Sequence, residues 1–216
     1  MSAVELLGAG RDADVFAYGD GLVLRRNRDG RSSEREAALM RTLADLGYPL
    51  PRVHSAVGPD IVMDRVDGPT LGEQLLSGAI ETDPGAAILA DLHHRLHALP
   101  WPETAPGTCL LHLDLHPLNV VVTADGPVLI DWTNARVGSP GLDVAVTVLV
   151  LVQVGLGDPE LREPLLSYAE AFAHHAAAPY AEDLPQAVAF RRANPHQTAA
   201  EAERFDDAVE LTRRWA

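Results

Sequence analysis

The segment LLHLDLHPLNVVV, residues 110–122, constrains this chain more than any other stretch. Two histidines, an aspartate and an asparagine (His112, Asp114, His116, Asn119) fall within eight positions, and an apolar run follows directly. Polar side chains this dense beside buried sequence must bond one another, meet water or hold a ligand. A metal site, a catalytic base and a polar turn are the three ways to satisfy them.

For a metal site, strand alternation would put His112, Asp114 and His116 on one face. Hydrolytic zinc sites need further ligands downstream, and His174, His175 and His196 lie in helical sequence without a motif. His93 and His97 stand one helical turn apart and could also hold a metal, but HHRLH lacks the glutamate of an H-E-x-x-H motif. Such helical pairs are more often partly buried packing residues.

Reading onward from Asp114 gives a different chemistry. Asn119 lies five residues later, and Asp131 closes the next apolar run in VLIDW. Kinase-type phosphoryl transfer uses this order, with an aspartate to accept the proton of the attacking hydroxyl, then an asparagine and a second aspartate to hold magnesium on the nucleotide phosphates. Taken singly, Asp114 and Asn119 could be turn formers and Asp131 a strand-end cap.

Composition narrows the function classes. A length of 216 residues suits one large domain or two small lobes. The net charge of -14 excludes a non-specific nucleic-acid binder, which needs a basic surface, and would suit a cationic small substrate. The single Cys109 cannot close an intramolecular disulfide, so a cytoplasmic location is expected. The start shows no basic and apolar leader pattern. The most apolar run, VAVTVLVLVQVGLG at 144–157, is too short for a membrane span and reads as a buried helix. All 17 basic residues are arginine, so any step that wants a lysine must use something else.

Hydrophobic periodicity divides the chain. VELLGAGRDADVFAYGDGLVLRRN reads as three strands joined by a glycine turn and a tight hairpin. SSEREAALMRTLADLG reads as a helix whose Ser33 and Glu36 match a capping box and whose apolar stripe is Leu39, Met40, Leu43 and Leu46. PRVHSAV and IVMDRV add two strands. GAAILADLHHRLHALP is helical, VVVTADGPVLIDW is a hairpin, and from Gly141 onward the sequence reads as helix. The division expected is a sheet-rich lobe over 1–65 and a helical lobe over 66–216.

HLDLHPLNVVV…VLIDW closely resembles the aminoglycoside phosphotransferase and choline kinase-like family, relatives of the protein kinases, whose loop typically reads H-G-D-L-H-P-G-N before I-D-W or I-D-F. The resemblance implies an α+β, two-lobed protein-kinase-like fold, with a small antiparallel-sheet N-lobe carrying one helix and a mostly helical C-lobe. It implies Asp114 as catalytic base, Asn119 and Asp131 as magnesium ligands, and His112 as a brace behind the loop. The activity implied is transfer of the terminal phosphoryl group of ATP or GTP, with Mg2+, to a hydroxyl of a small molecule (aminoglycoside-like, amino alcohol or sugar), with neither nucleic acid nor membrane as partner.

Such an N-lobe needs a glycine turn over the phosphates, a strand cation and a helix carboxylate. Gly8 and Gly10 supply the turn, without a full G-x-G-x-x-G pattern. Arg25 stands where the family's strand lysine would be and alternates with Val23; its other reading is a surface arginine. Glu36 is the candidate partner, although the capping box would claim the same carboxylate, and Glu34 is the fallback. IVMDRVDGPTL resembles the connector between lobes, with backbone groups from Asp64 to Val66 on the purine edge and Met63 lining its pocket. VGSPGLDVAV resembles the family's G-D-P-x-x-D-L-A, with Asp143 capping a helix and bonding toward the catalytic loop. Three departures stand out: Leu113 and Leu118 replace frequent glycines, and Thr133 stands where an acid is common. Arginine for lysine, together with a short C-terminal lobe, keeps a second reading open, a nucleotide-binding pseudokinase that regulates a partner. Glu201, Glu203, Asp206, Asp207 and Glu210 could face a cationic acceptor, Arg191 and Arg192 an anionic one.

Overall fold

The computed structural model describes residues 5–10, 12–102, 104–176, 178–194 and 197–216. Strands β1 (Leu6–Ala9), β2 (Ala13–Ala17) and β3 (Leu22–Asn27) come first, followed by helix α1 (Glu34–Asp45) and strands β4 (Val53–Val57) and β5 (Asp60–Asp64). Then come α2 (Leu71–Leu76), α3 (Thr82–His97), β6 (Cys109–Leu111), a 3-10 turn (Pro117–Asn119), β7 (Val120–Thr123), β8 (Gly126–Leu129) and β9 (Arg136–Gly138). The chain continues in α4 (Pro140–Gly157), α5 (Arg162–His175), α6 (Leu184–Arg192), α7 (Ala199–Glu203) and α8 (Phe205–Trp215).

These elements form two compact units. One runs through Gly68 and includes Val121–Thr133; the other comprises Pro69–Val120 and Asn134–Ala216. The first holds an antiparallel sheet of order β1-β2-β3-β5-β4 with α1. Strand alternation turns Val23, Arg25 and Asn27 inward, while Arg26 faces out and pairs with Asp60 at 2.6 Å. Helix α1 buries Met40 and Leu43 of the expected stripe with Ala37 beside them, while Leu39 and Leu46 are only half-buried.

The expected boundary at 65/66 put residues 121–133 with the helical lobe, whereas they pack with the sheet unit. Trp132 explains this: its ring is buried edge-on against Tyr48 at 5.5 Å, and the Leu129 N–H donates to the Pro49 carbonyl at 2.9 Å. Gly68 passes so close to the hairpin that a Cβ there would meet the Val122 carbonyl oxygen at 2.4 Å.

The capping box expected at α1 does not form. Ser33 sits at the N-cap, but its hydroxyl donates to the Pro59 carbonyl at 2.8 Å and accepts from Asn27 Nδ2 at 3.1 Å. Glu36 is thereby free to point elsewhere. A capping box does form at the short α2, where Thr70 and Glu73 bond each other's backbone N–H.

In the second unit α4 is the hub, packing against α5, α6 and α8. At 18 residues its length would reach across a bilayer, so the length argument against a span does not hold. Its apolar window is nevertheless 78% buried within the chain, which is the fate expected of a core helix. The alternation expected for His112, Asp114 and His116 also fails, because β6 ends at Leu111. The strand is held by three-residue pairing with β9, an element that its few residues left invisible in the sequence pattern.

Candidate active site

The loop that carries the candidate base, Asp114, falls in the second unit. Leaving β6, the chain turns through Leu113 in the left-handed region (φ 62). A leucine there costs roughly 1–2 kcal/mol relative to glycine, and its complete burial supplies the compensation. This conformation gives a physical reason for the glycine usual at that position in the family it resembles.

Asp143 fixes the turn. Its Oδ2 accepts the His112 N–H at 3.0 Å, and its Oδ1 accepts the Leu113 N–H at 2.7 Å. His97 Nε2 donates to the same Oδ2 at 3.0 Å. Burial alone would raise this carboxyl, but the His97 bond, the nearby His93 ring and the backbone donors outweigh it and hold it well below the usual carboxylate range. Asp143 lies one turn inside α4, whose N-cap is Ser139, so it serves the loop and does not cap the helix as expected.

His112 is fully buried, and its Nδ1 accepts the Asp114 N–H at 3.2 Å. The ring therefore orients the backbone of the candidate base. The Asp114 carboxylate is partly exposed and lies 3.6 Å from His116 Nε2. Asn119 Nδ2 donates to the Asp114 carbonyl at 2.9 Å, which ties the 3-10 turn to the loop and leaves Asn119 Oδ1 as an oxygen donor. Thr147, on α4, adds a tie that no sequence pattern signalled: its hydroxyl donates to the Leu115 carbonyl at 2.9 Å.

The first unit carries the second cluster. Arg25 is 7% exposed and aimed inward from β3, so it is no surface strand arginine. Its guanidinium pairs with Glu36 on α1, and NH1 lies 3.6 Å from Asp131 Oδ1. Thr133 Oγ1 donates to Glu36 Oε2 at 3.5 Å, a contact that the departure from the family pattern did not suggest. Glu34 is exposed at the start of α1 and the fallback is not needed. Asp131 adopts φ 64, a left-handed conformation that aspartate tolerates, and half its side chain is exposed. Arg25, Glu36 and Asp131 are thus gathered, with one carboxylate half open to solvent.

Gly8 lies in β1 opposite Val15, and Gly10 starts the turn, where its N–H donates to the Ala13 carbonyl at 2.8 Å. Met63 is half-buried in β5 between Val23 and Val53. Asp64 and Arg65 spend their N–H groups on the carbonyls of Arg52 and Gly21, and the Asp64 side chain meets His54 at 2.6 Å. Val66 follows, half-buried, beyond the end of the strand.

The residues expected to address a charged acceptor are mostly committed. Glu201 is buried in a capping box with Thr198, Asp206 pairs with Arg192 at 2.8 Å, and Glu210 pairs with Arg213 at 2.9 Å. Arg191 is buried against Gln153. Glu203 remains exposed, and Asp207 lies 3.5 Å from Arg204.

Several known proteins share these features. The phosphotransferase enzyme family model matches residues 3–107 and 81–187. A choline/ethanolamine kinase family protein from Mesorhizobium loti superposes with a TM-score of 0.60 at 16% identity, covering 98% of this chain and 92% of that one. The ADP-bound aminoglycoside phosphotransferase APH(2'')-Ib gives 0.59 at 17% identity, with the same two coverages of 98% and 92%. A curated relative, the EKC/KEOPS complex subunit BUD32 of Encephalitozoon cuniculi, is 34% identical over 106 residues, 39% of this chain. That match spans about half, 53%, of the relative's length. The fold is the two-lobed, protein-kinase-like α+β fold, and the chain belongs to the phosphotransferase enzyme family.

Proposed function

We propose that the chain is a small-molecule kinase that transfers the terminal phosphoryl group of ATP or GTP to a hydroxyl. The observation that carries this reading is the loop around Asp114: a partly exposed carboxylate whose backbone N–H is held by buried His112 and whose carbonyl is held by Asn119. Asp114 would accept the hydroxyl proton as oxygen attacks phosphorus, and pinning by Asp143, His112 and Asn119 fixes where that proton is taken.

Magnesium, when bound with the nucleotide, would neutralise the phosphate oxygens in flight. The donors fit that ion: Asn119 Oδ1 and the half-exposed Asp131 carboxylate are the hard oxygen ligands it prefers. Arg25 would bridge phosphate oxygens bidentately as the usual lysine cannot, with Glu36 holding it in place. With two N–H groups of the connector already used, the purine edge would meet the Asp64 carbonyl and the Val66 N–H, beside Met63. Gly8 and Gly10 would let the first turn lie close over the phosphates.

The acceptor class is a small polyol or amino alcohol of the aminoglycoside or choline kind, the classes named for APH(2'')-Ib and the Mesorhizobium loti protein. The pseudokinase reading draws support from Arg25 and from the relation to a complex subunit. The paired Arg25 and Glu36 and the braced Asp114 weigh against it, since a binding module needs no base. The test is turnover of Asp114→Ala with ATP or GTP across a panel of hydroxylated amines, sugars and aminoglycosides. A fall of about 10²- to 10⁴-fold with nucleotide affinity retained is expected; unchanged turnover would remove Asp114 as the base.

A further inference from the structure

The turn that follows the candidate base carries a side chain that phosphoryl transfer itself does not use. Leu118 lies between His116 and Asn119, and both of these reach the Asp114 carboxylate. His116 Nε2 stands 3.6 Å from Oδ1, and Asn119 Nδ2 stands 3.5 Å from Oδ2. Pro117 is buried, whereas Leu118 is 57% exposed. One exposed leucine is ordinary on a protein surface. What distinguishes this one is how it is held and what stands beside it.

Helix α2 holds it. A Cβ on Gly72 would meet Leu118 Cδ2 at 2.7 Å and the Pro117 carbonyl carbon at 3.6 Å, so the leucine lies directly over the helix backbone. Gly72 is buried there, at a position where any side chain would push Leu118 aside. Leu76 follows one helical turn later on the same face of α2 and is 63% exposed. The two leucines extend an open apolar ledge away from the Asp114 carboxylate.

We infer that Leu118 selects the acceptor, favouring a hydroxyl flanked by hydrocarbon, as in an N-alkylated amino alcohol, over one flanked by further hydroxyls, as in a polyol sugar. The inference rests on the proposed role of Asp114 as base, because the acceptor hydroxyl must then sit at that carboxylate. Groups on its neighbouring carbons come against the residues beside the base. Within residues 115–119 solvent reaches His116, Leu118 and Asn119, and of these only Leu118 has no polar side-chain atom. Hydrocarbon laid against it takes apolar surface of both partners out of water. A hydroxyl laid there loses its bonds to water without replacement. Glycine, the frequent residue at this place in the family loop, would leave the space open to water and to polar acceptors. The acids of α8 offer no counterweight, since Asp206 and Glu210 are paired with Arg192 and Arg213.

The experiment compares kcat/KM for matched acceptors, choline against glucosamine and an aminocyclohexanol against deoxystreptamine, in wild type, Leu118→Asn, Leu118→Met and Gly72→Ala. Wild type is expected to favour the hydrocarbon-flanked member of each pair by about 10-fold, the order of discrimination that a small apolar contact supplies. Leu118→Asn should erase that preference by raising KM for the favoured acceptors rather than lowering kcat, with the nucleotide KM unmoved. Leu118→Met should keep it. Gly72→Ala, which displaces the leucine without altering it, should weaken it in the same direction. Equal or higher kcat/KM for the polyols in wild type, or a preference that survives in Leu118→Asn, overturns the inference and leaves the kinase reading standing. Transfer to no acceptor at all overturns both.

Discussion

Arg25 shows how a single side chain's direction follows from its sequence and is then put to use. Alternation with Val23 on a strand whose far face carries Arg26 turns it inward, and burial then requires a carboxylate partner, which Glu36 provides. Replacing Arg25 with alanine leaves that carboxylate in a nearly closed pocket, and denaturant unfolding should show a loss of about 3–5 kcal/mol. Lysine at the same position keeps the charge but not the fork that reaches both acids, and a raised nucleotide KM is the expected result. Leu113 poses the opposite problem. Its glycine-like φ was beyond reach of sequence reasoning, which saw only a departure from the family pattern. Leu113→Gly would recover roughly 1–2 kcal/mol of backbone strain but forfeit a fully buried side chain worth about 2–5 kcal/mol. Burial wins, so the variant should melt at a lower temperature than wild type.

Elements with a long periodic pattern were legible, and those held by tertiary bonds were not. Helices α1 and α3 announce themselves through their apolar spacing, and α4 through an almost unbroken apolar run. The pairing of β6 with β9 does not, because three residues a side carry no period and form only where α4 and α3 cover them. The Ser33 box misled for a related reason. A local motif competes with every other donor and acceptor in reach, and here Asn27 and Pro59 claim the hydroxyl. Burial within β6 also sets the chemistry of Cys109, whose thiol is pushed up to about 12, with the Asp143 charge adding to the effect. A raised value keeps the thiol protonated through neutral and mildly basic pH. Native protein should therefore resist iodoacetamide at pH 8 and be alkylated only after unfolding, as mass spectrometry would show.

Over the whole molecule, the fold class was readable because the chain keeps the residue order that kinase-type phosphoryl transfer calls for, from Gly8 and Gly10 through Arg25, Glu36 and Asp114 to Asn119 and Asp131. That order survives where the spacing between its members drifts. The division into units was less readable, because a hairpin close in sequence to the catalytic loop packs with the sheet through Trp132 and Tyr48. The chain passes between units at Gly68–Pro69, Val120–Val121 and Thr133–Asn134, so Asn119 and Asp131 are carried by different units. The acceptor was least readable of all. Acidic residues on a terminal helix look alike in sequence whether they greet a substrate or pair with arginine, and Asp206 and Glu210 do the latter.

Under the proposed function, Asp114, Asn119, Asp131, Arg25 and Glu36 act together in magnesium-dependent phosphoryl transfer. Its most direct measurement is transfer from labelled ATP or GTP to the hydroxyl panel by wild type and by Asp131→Ala, with and without magnesium. Acceptor-dependent product that requires magnesium is expected from wild type and should disappear in the variant. Tight nucleotide binding by wild type with no transfer to any acceptor, or undiminished transfer by Asp131→Ala, would contradict it.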